Sequence, residues 1–263
     1  MPPQRPGAIP KSMESARHQP SLLSPEAVAH LYDARAGLFD PEEHLADVRQ
    51  AVAIVRRVCP RPDNAILDLG CGEGQHLIEL AAAGYRNLRG IDISREAAEI
   101  ALRRCRGLPV SVACCDIADV DAGGFYLVTA FNSSLGSLGA EGDSSYVRGV
   151  AEALRPGGLF LLCYLSLEAA LRRVGTFYSP SVREAGGYVT TQVDISDDAR
   201  WMTLRQDYMS QRLPSEHIRI FDERELSEMM RSVGLERDGA TDDHAHALPY
   251  VGVFLARKRE GGL

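Results

Sequence analysis

The chain has 263 residues, a net charge of -7, and 45% hydrophobic against 25% charged residues. That length buries a sizeable core in one large α/β domain, with room for a small insertion. The acidic balance leaves no basic stripe to neutralise nucleic-acid phosphates, and with Lys11 and Lys258 as the only lysines, Schiff-base chemistry has almost no candidate residue.

Residues 1–22 are rich in proline and polar side chains without periodicity and read as a disordered tail. Ser24-Pro25-Glu26 is a helix start, serine capping and proline at the first helical position, leading to Tyr32 and Asp33. Asp40 with Glu43 three residues on predicts a second start, and Leu45, Val48, Val52 and Val55 recur at helical spacing. Then comes AILDLGCGEGQHLIE, Ala65 to Glu79, which reads as buried strand, tight turn and helix. Gly70, Gly72 and Gly74 allow positive φ and close approach of a ligand to the backbone. The dinucleotide fingerprint G-x-G-x-x-G needs glycine where Gln75 stands, and the phosphate loop G-x-x-x-x-G-K-[ST] is absent. Asp68 and Glu73 in the turn suit a cation better than a pyrophosphate, so the expected ligand is a cationic nucleoside.

Further strands are expected at Leu88 to Ile93, Val110 to Cys115, Phe125 to Phe131 and Gly158 to Leu165, with Ser94, Asp143 and Ser166 capping the helices between and after them. Asn132 closes the fourth strand, beside the crossover where open α/β sheets place ligands. Tyr188 to Ile195 and Trp201 to Met209 flank Ser196-Asp197-Asp198 as a hairpin. It reads either as a lid over an acceptor pocket or as a homodimer contact. His217 to Phe221 forms a short strand, Asp222 caps a helix with Glu225 in the box position, and strands at Leu235 to Ala240 and Val251 to Arg257 close the chain. His244 and His246 between them lack carboxylate or thiolate partners at ligand spacing and read as a solvated loop, so no metal site is expected.

D-x-G-x-G-x-G from Asp68 to Gly74, GIDIS with Asp92, CCDI with Asp116 and Ile117, and LRPGG from Leu154 to Gly158 occur in order. On these stations the chain resembles the class I S-adenosylmethionine-dependent methyltransferases of the small-molecule type, from about Tyr32 to Lys258. The resemblance implies a doubly wound, mostly parallel seven-stranded sheet in one domain over 23–258, with a β-hairpin lid insertion at about 176–215. It implies S-adenosylmethionine as cofactor, with Asp92 and Ile93 at the ribose, Asp116 and Ile117 at the adenine, and Asp68, Gly70, Cys71, Gly72 and Asn132 around the rest of the site. Tyr32 is implied at the methionine end, shared with an acceptor side that includes Ser133, Tyr178 and His217. Two departures stand out: Tyr126 replaces an aspartate common in the family, and Asn132 to Leu135 is not the Asn/Asp-Pro-Pro-aromatic element of DNA amino-methyltransferases.

The implied activity (EC 2.1.1.-) is methyl transfer to a nitrogen, oxygen or carbon nucleophile of a small molecule of secondary-metabolite type. Alignment of the acceptor supplies most of the rate, with His217 the candidate base. An NAD(P)-dependent oxidoreductase stays open because Asp92 lies where a ribose-binding acid follows a Rossmann turn. So does a nucleoside-binding or partner protein without turnover. The six cysteines, without C-x-x-C spacing, read as reduced thiols of a cytoplasmic protein. No membrane span or signal core is written in the sequence.

Overall fold

The computed structural model describes residues 20, 22–120, 123–131, 135–240, 248 and 251–260. Most of the expected tail lies outside the described residues, as do Asn132, Ser133, His244 and His246. The first half runs α1 (Pro25–Arg35), α2 (Leu45–Val58), β1 (Ile66–Leu69), α3 (Gln75–Ala82), β2 (Leu88–Asp92), α4 (Arg95–Arg104), β3 (Val110–Cys114), β4 (Phe125–Ala130), α5 (Gly139–Ala153) and β5 (Leu154–Tyr164). After it come α6 (Leu167–Leu171), β6 (Gly175–Pro180), β7 (Tyr188–Ile195), β8 (Trp201–Tyr208), β9 (Gln211–Arg212), β10 (Glu216–Arg219), α7 (Glu223–Ser232), β11 (Leu235–Arg237) and β12 (Gly252–Lys258).

Seven strands form the main sheet in the order β11-β12-β5-β4-β1-β2-β3. β1 to β5 are parallel, and β12 runs antiparallel to both β5 and β11. Strand period decides which helices cover which face. Ile66, Leu127, Leu159 and Leu161 point to the side where α2 and α3 contribute Val52, Val55, Leu77 and Leu80. Their neighbours Leu67, Val128, Phe160 and Leu162 point to the opposite side, against Val147 and Val150 of α5 and Leu226 and Met230 of α7. Burial on both faces is why these strands read as continuous apolar runs.

A second, antiparallel sheet, β10-β8-β7-β6 with β9 on β8, is inserted between β5 and α7. The expected hairpin is its centre. Two strands enlarge it: β6 pairs with β7 over Gly175 to Pro180, and β10 pairs with β8 from Glu216 to Arg219. Neither flanking strand has strong alternation of its own, so pairing with the hairpin defines them. Its inner side packs Val193, Met202 and Ile220 on Leu165, Ala169 and Ala170.

Caps at Ser24, Ser94, Ser166 and Asp222 form as expected. Three expectations are corrected. Asp40 accepts from Glu42 N at 2.9 Å in a local turn, and α2 begins later, at Leu45. Asp143 lies inside α5, which starts at Gly139; its buried Oδ1 accepts from Gly136 N at 2.7 Å, so it caps the turn entering the helix. Glu225 does not close a capping box, because its carboxylate pairs with Arg219 and Arg200.

Candidate functional site

The carboxyl ends of β1 and β2 open into a cavity of about 340 Å³. Its lining includes Ile93, Ala97, Cys115, Asp116, Ile117, Leu138 and Tyr146, together with Asp92, Tyr32 and the turn Gly70-Cys71-Gly72. Phe39, Pro41, His44, Val48 and His76 complete it.

Glycine is required where the turn meets this space. Gly72 has φ +53°, and a Cβ there would meet nothing within 4 Å, so the backbone edge stays open to a ligand. Gly74 caps α3 at φ +81°, and its Cβ would come within 3.0 Å of Cys105 Sγ. Asp92 holds the turn in place: Oδ2 accepts from Gly72 N at 2.7 Å and Oδ1 from Ser94 N at 2.8 Å. Burial raises its pKa, opposed by those two backbone N–H bonds. Lone pairs remain on both oxygens, since each accepts one such bond. At the far end Asp116 Oδ1 accepts from Ala118 N at 2.9 Å, opening a 3-10 turn over Ile117–Asp119 that buries Ile117.

The two acids of the glycine turn are otherwise engaged. Glu73 accepts from Gly37 N at 2.7 Å and faces Arg104, tying the α1–α2 loop to the turn. Asp68 is 1% exposed beneath the turn, does not line the cavity, and accepts from Thr129 Oγ1 at 2.8 Å, with Oδ2 buried and unpartnered among the described residues. Of Asp68 and Asp92 only Asp92 lines the cavity, and Asp68 supports the turn from below. Burial raises Asp68 to about 7. Between the unfolded carboxylate value and that pH the native state holds a proton that the unfolded chain lacks. Its contribution to stability therefore grows as pH falls through 7 and is lost as pH rises. Relative to Asp68→Asn, the unliganded protein should gain about 1–2 kcal/mol between pH 8 and pH 5.5. Urea midpoints at both pH values check this, and parallel pH dependence in the two proteins would disprove it.

Helix α1 lies across the opening. Asp33 Oδ1 accepts from Ser94 Oγ at 2.6 Å and from Glu96 N at 3.1 Å, docking α1 on α4 and setting Tyr32 on the cavity wall. The Tyr32 hydroxyl donates to Glu216 Oε1 at 2.8 Å, and Arg35 Nη1 donates to Glu216 Oε2 at 2.6 Å. Desolvation and the negative Glu216 hold the phenol well above its ordinary pKa.

Of the residues singled out in the sequence, the structure brings together Tyr32, Gly70, Cys71, Gly72, Asp92, Ile93, Asp116 and Ile117 around one cavity. It does not bring Tyr178 or His217 there. Tyr178 is 74% exposed on β6, and His217 turns outward on β10, its Nδ1 3.0 Å from Thr203 Oγ1. Burial and the nearby Arg205 lower the His217 pKa. The inward residue of β10 is its neighbour Glu216, which sequence reasoning missed because a one-residue step reverses the facing of a strand. His76 was also missed: it stacks on Phe131 at 4.2 Å between centroids, and burial lowers it to about 4. Its place in the first turn of the helix after the glycines was the available signal.

Residues 66–158 match the family model described as Methyltransferase domain. Residues 66–158 therefore read as a methyltransferase domain, and the chain has the Rossmann-like methyltransferase fold. The chain is 31% identical over 144 residues to the dTDP-4-amino-2,3,4,6-tetradeoxy-D-glucose N,N-dimethyltransferase of Saccharopolyspora spinosa, covering 54% of this chain and 55% of that one. It thus spans about half the length of that curated relative. In fold it is similar to an S-adenosylmethionine-dependent methyltransferase from Clostridium acetobutylicum, with TM-score 0.65 and 19% identity over 89% of this chain and 98% of that one. An amino pentose methyltransferase from Micromonospora echinaspora gives TM-score 0.57 and 20% identity over 92% and 100% of the two chains.

The amino pentose methyltransferase structure holds S-adenosylmethionine, and the residues present here fit that group. The backbone at Gly72 is open, Asp92 has lone pairs for vicinal hydroxyls, and Asp116 and Ile117 offer a polar group beside an apolar surface. Among the described residues no cluster of metal-ligating side chains occurs, and no helix is long and apolar enough to cross a membrane.

Proposed function

We propose that this methyltransferase moves the methyl group of S-adenosylmethionine to a nucleophile of a small secondary-metabolite-like acceptor, with nitrogen the favoured atom. The observation that carries the reading is that one cavity is lined at once by Asp116, Asp92, the Gly70–Gly72 turn and Phe39, Val48 and His76. S-adenosylmethionine, when bound, would supply a methyl group already activated on a sulfonium, leaving the chain to align an acceptor nitrogen with it. Asp92 and Asp116 would hold the nucleoside end beside the Gly70–Gly72 turn, with Tyr32 on the same cavity lining. Orientation of this kind supplies about 7–11 kcal/mol without a strong base. The N,N-dimethyltransferase from Saccharopolyspora spinosa and the amino pentose methyltransferase support an amine acceptor.

None of the cavity-lining residues comes from the second sheet, which is read as holding Tyr32 in place on the acceptor side through Glu216. It meets the core at Arg219 N to Gly136 O (3.0 Å), at Val182 N to Leu38 O (3.0 Å) and through Glu216. In this reading His217 takes no part in chemistry, so His217→Ala should keep the turnover rate within about threefold of wild type, where loss of a general base costs about 10²–10⁴-fold. Steady-state kinetics across pH 6–9 decide, and a hundredfold loss would restore His217 as the base. A homodimer through the insertion is retained as a proposal, because β6 ends that sheet and exposes Phe177 and Tyr178. A mass that stays monomeric at high concentration in sedimentation analysis would reject it.

The test of the function is a mass-shift screen with isotopically labelled S-adenosylmethionine against small amines, including dTDP-4-amino-2,3,4,6-tetradeoxy-D-glucose. A labelled amine product is expected. Failure to bind S-adenosylmethionine, with NAD(P) bound instead, would overturn the reading.

A further inference from the structure

Glu216 is 3% exposed, and it gathers three side chains from outside its own sheet. Tyr32 donates to Oε1 at 2.8 Å, Ser137 Oγ lies 3.5 Å from the same oxygen, and Arg35 Nη1 lies 2.6 Å from Oε2. The Arg35 guanidinium also stands over the Tyr32 ring, 5.3 Å from its centroid. Of the Tyr32–Glu216–Arg35 group only Tyr32 lines the cavity, on the wall it shares with Asp92 and the glycine turn.

The direction of the Tyr32–Glu216 bond fixes what Tyr32 can recognise. An ionised carboxylate only accepts, and a phenol has one proton. With that proton committed to Glu216, the Tyr32 oxygen presents lone pairs to the cavity and reads donors alone. The negative Asp92 nearby disfavours a second acceptor at the same place.

Resting on the methyltransferase reading above, we infer that Glu216 is a positioning residue: it turns Tyr32 into a hydrogen-bond acceptor at the transfer position, and so selects acceptors with N–H on the nucleophile, primary or secondary amines. A neutral amine donates one N–H to Tyr32 and keeps its lone pair for the methyl carbon. The N–C bond forms, the S–C bond breaks with its electrons on sulfur, and the product ammonium gives its proton to solvent. A hydroxyl acceptor would place its single proton on Tyr32 and then need a base to remove it, and a phenol that still holds its own proton is a poor one.

The test needs no acceptor. Sinefungin carries an amine on carbon where S-adenosylmethionine carries its methylated sulfur, whereas S-adenosylhomocysteine has neither group. Calorimetry on the full chain should show sinefungin bound at least about tenfold more tightly than S-adenosylhomocysteine, the ratio expected for a hydrogen bond to a charged donor. Tyr32→Phe should abolish that preference while leaving S-adenosylhomocysteine affinity within about threefold. Glu216→Gln should reduce it, because the amide N–H can occupy the Tyr32 lone pair. If thermal melting shows that Glu216→Gln is unfolded, the variant that removes both charges, Arg35→Met with Glu216→Leu, is measured instead and should likewise reduce the preference. A preference absent from wild type, unchanged in the variants, or lost only together with S-adenosylhomocysteine affinity overturns the inference. Failure of wild type to bind S-adenosylhomocysteine at all would overturn the cofactor reading instead.

Discussion

Asp92→Ala is expected to weaken S-adenosylmethionine and S-adenosylhomocysteine equally, by about 2–4 kcal/mol, because the bonds lost are to sugar hydroxyls and do not involve the sulfur. The structure adds a second cost. Gly72 N and Ser94 N both lose their acceptor, and Ser94 is fully buried at the cap of α4. An orphaned buried N–H costs about 1–3 kcal/mol, so the unliganded variant should also unfold at lower urea. Asp92→Asn keeps one acceptor oxygen but turns its amide N–H groups toward one of those donors, and should fall between wild type and alanine. Calorimetry with both ligands, with urea melts of the unliganded proteins, separates the two effects. Alanine binding both ligands within threefold of wild type would remove Asp92 from the ribose.

Glu216→Leu should destabilise the protein by about 3–5 kcal/mol, the cost of leaving one member of a buried pair alone. The side chains of Arg35 and Glu216 are 12% and 4% exposed, and Arg35 Nε and Nη2 are already buried without a partner among the described residues. The guanidinium therefore has little to fall back on when the carboxylate goes. Arg35→Met combined with Glu216→Leu should recover most of the loss, because an apolar pair of similar volume replaces two desolvated charges. The comparison is made by urea denaturation. A double variant no more stable than Glu216→Leu alone would mean that the carboxylate's bonds to Tyr32 and Ser137, and not the ion pair, carry the stability.

Much of the cavity lining around the glycine turn was legible because its signals are local. A glycine turn needs positive φ at given positions, an acid at the end of an apolar strand needs nearby N–H groups, and both are written within a few residues. Asp92 and Gly72, 20 residues apart, are brought together by the parallel pairing of β1 with β2, in which Leu69 meets Ile91. Local signals also misled. Asp40, Asp143 and Glu225 have capping chemistry, and each satisfies a neighbouring group instead of the expected helix terminus.

The sequence by itself determined the doubly wound order of strands and helices, the glycine turn and the acids at the ends of β2 and β3, since strand period, helix period and turn chemistry are short-range properties. It also placed the extra hairpin between β5 and α7. Only the tertiary structure decided that β6 and β10 extend that hairpin into a sheet, that Asp68 lies beneath the turn, and that Glu216 rather than His217 faces α1. The reason is register. Which of two adjacent strand residues points inward depends on the partner strand and on what covers it, here Leu204 of β8 opposite Glu216 and a helix 181 residues away in the chain.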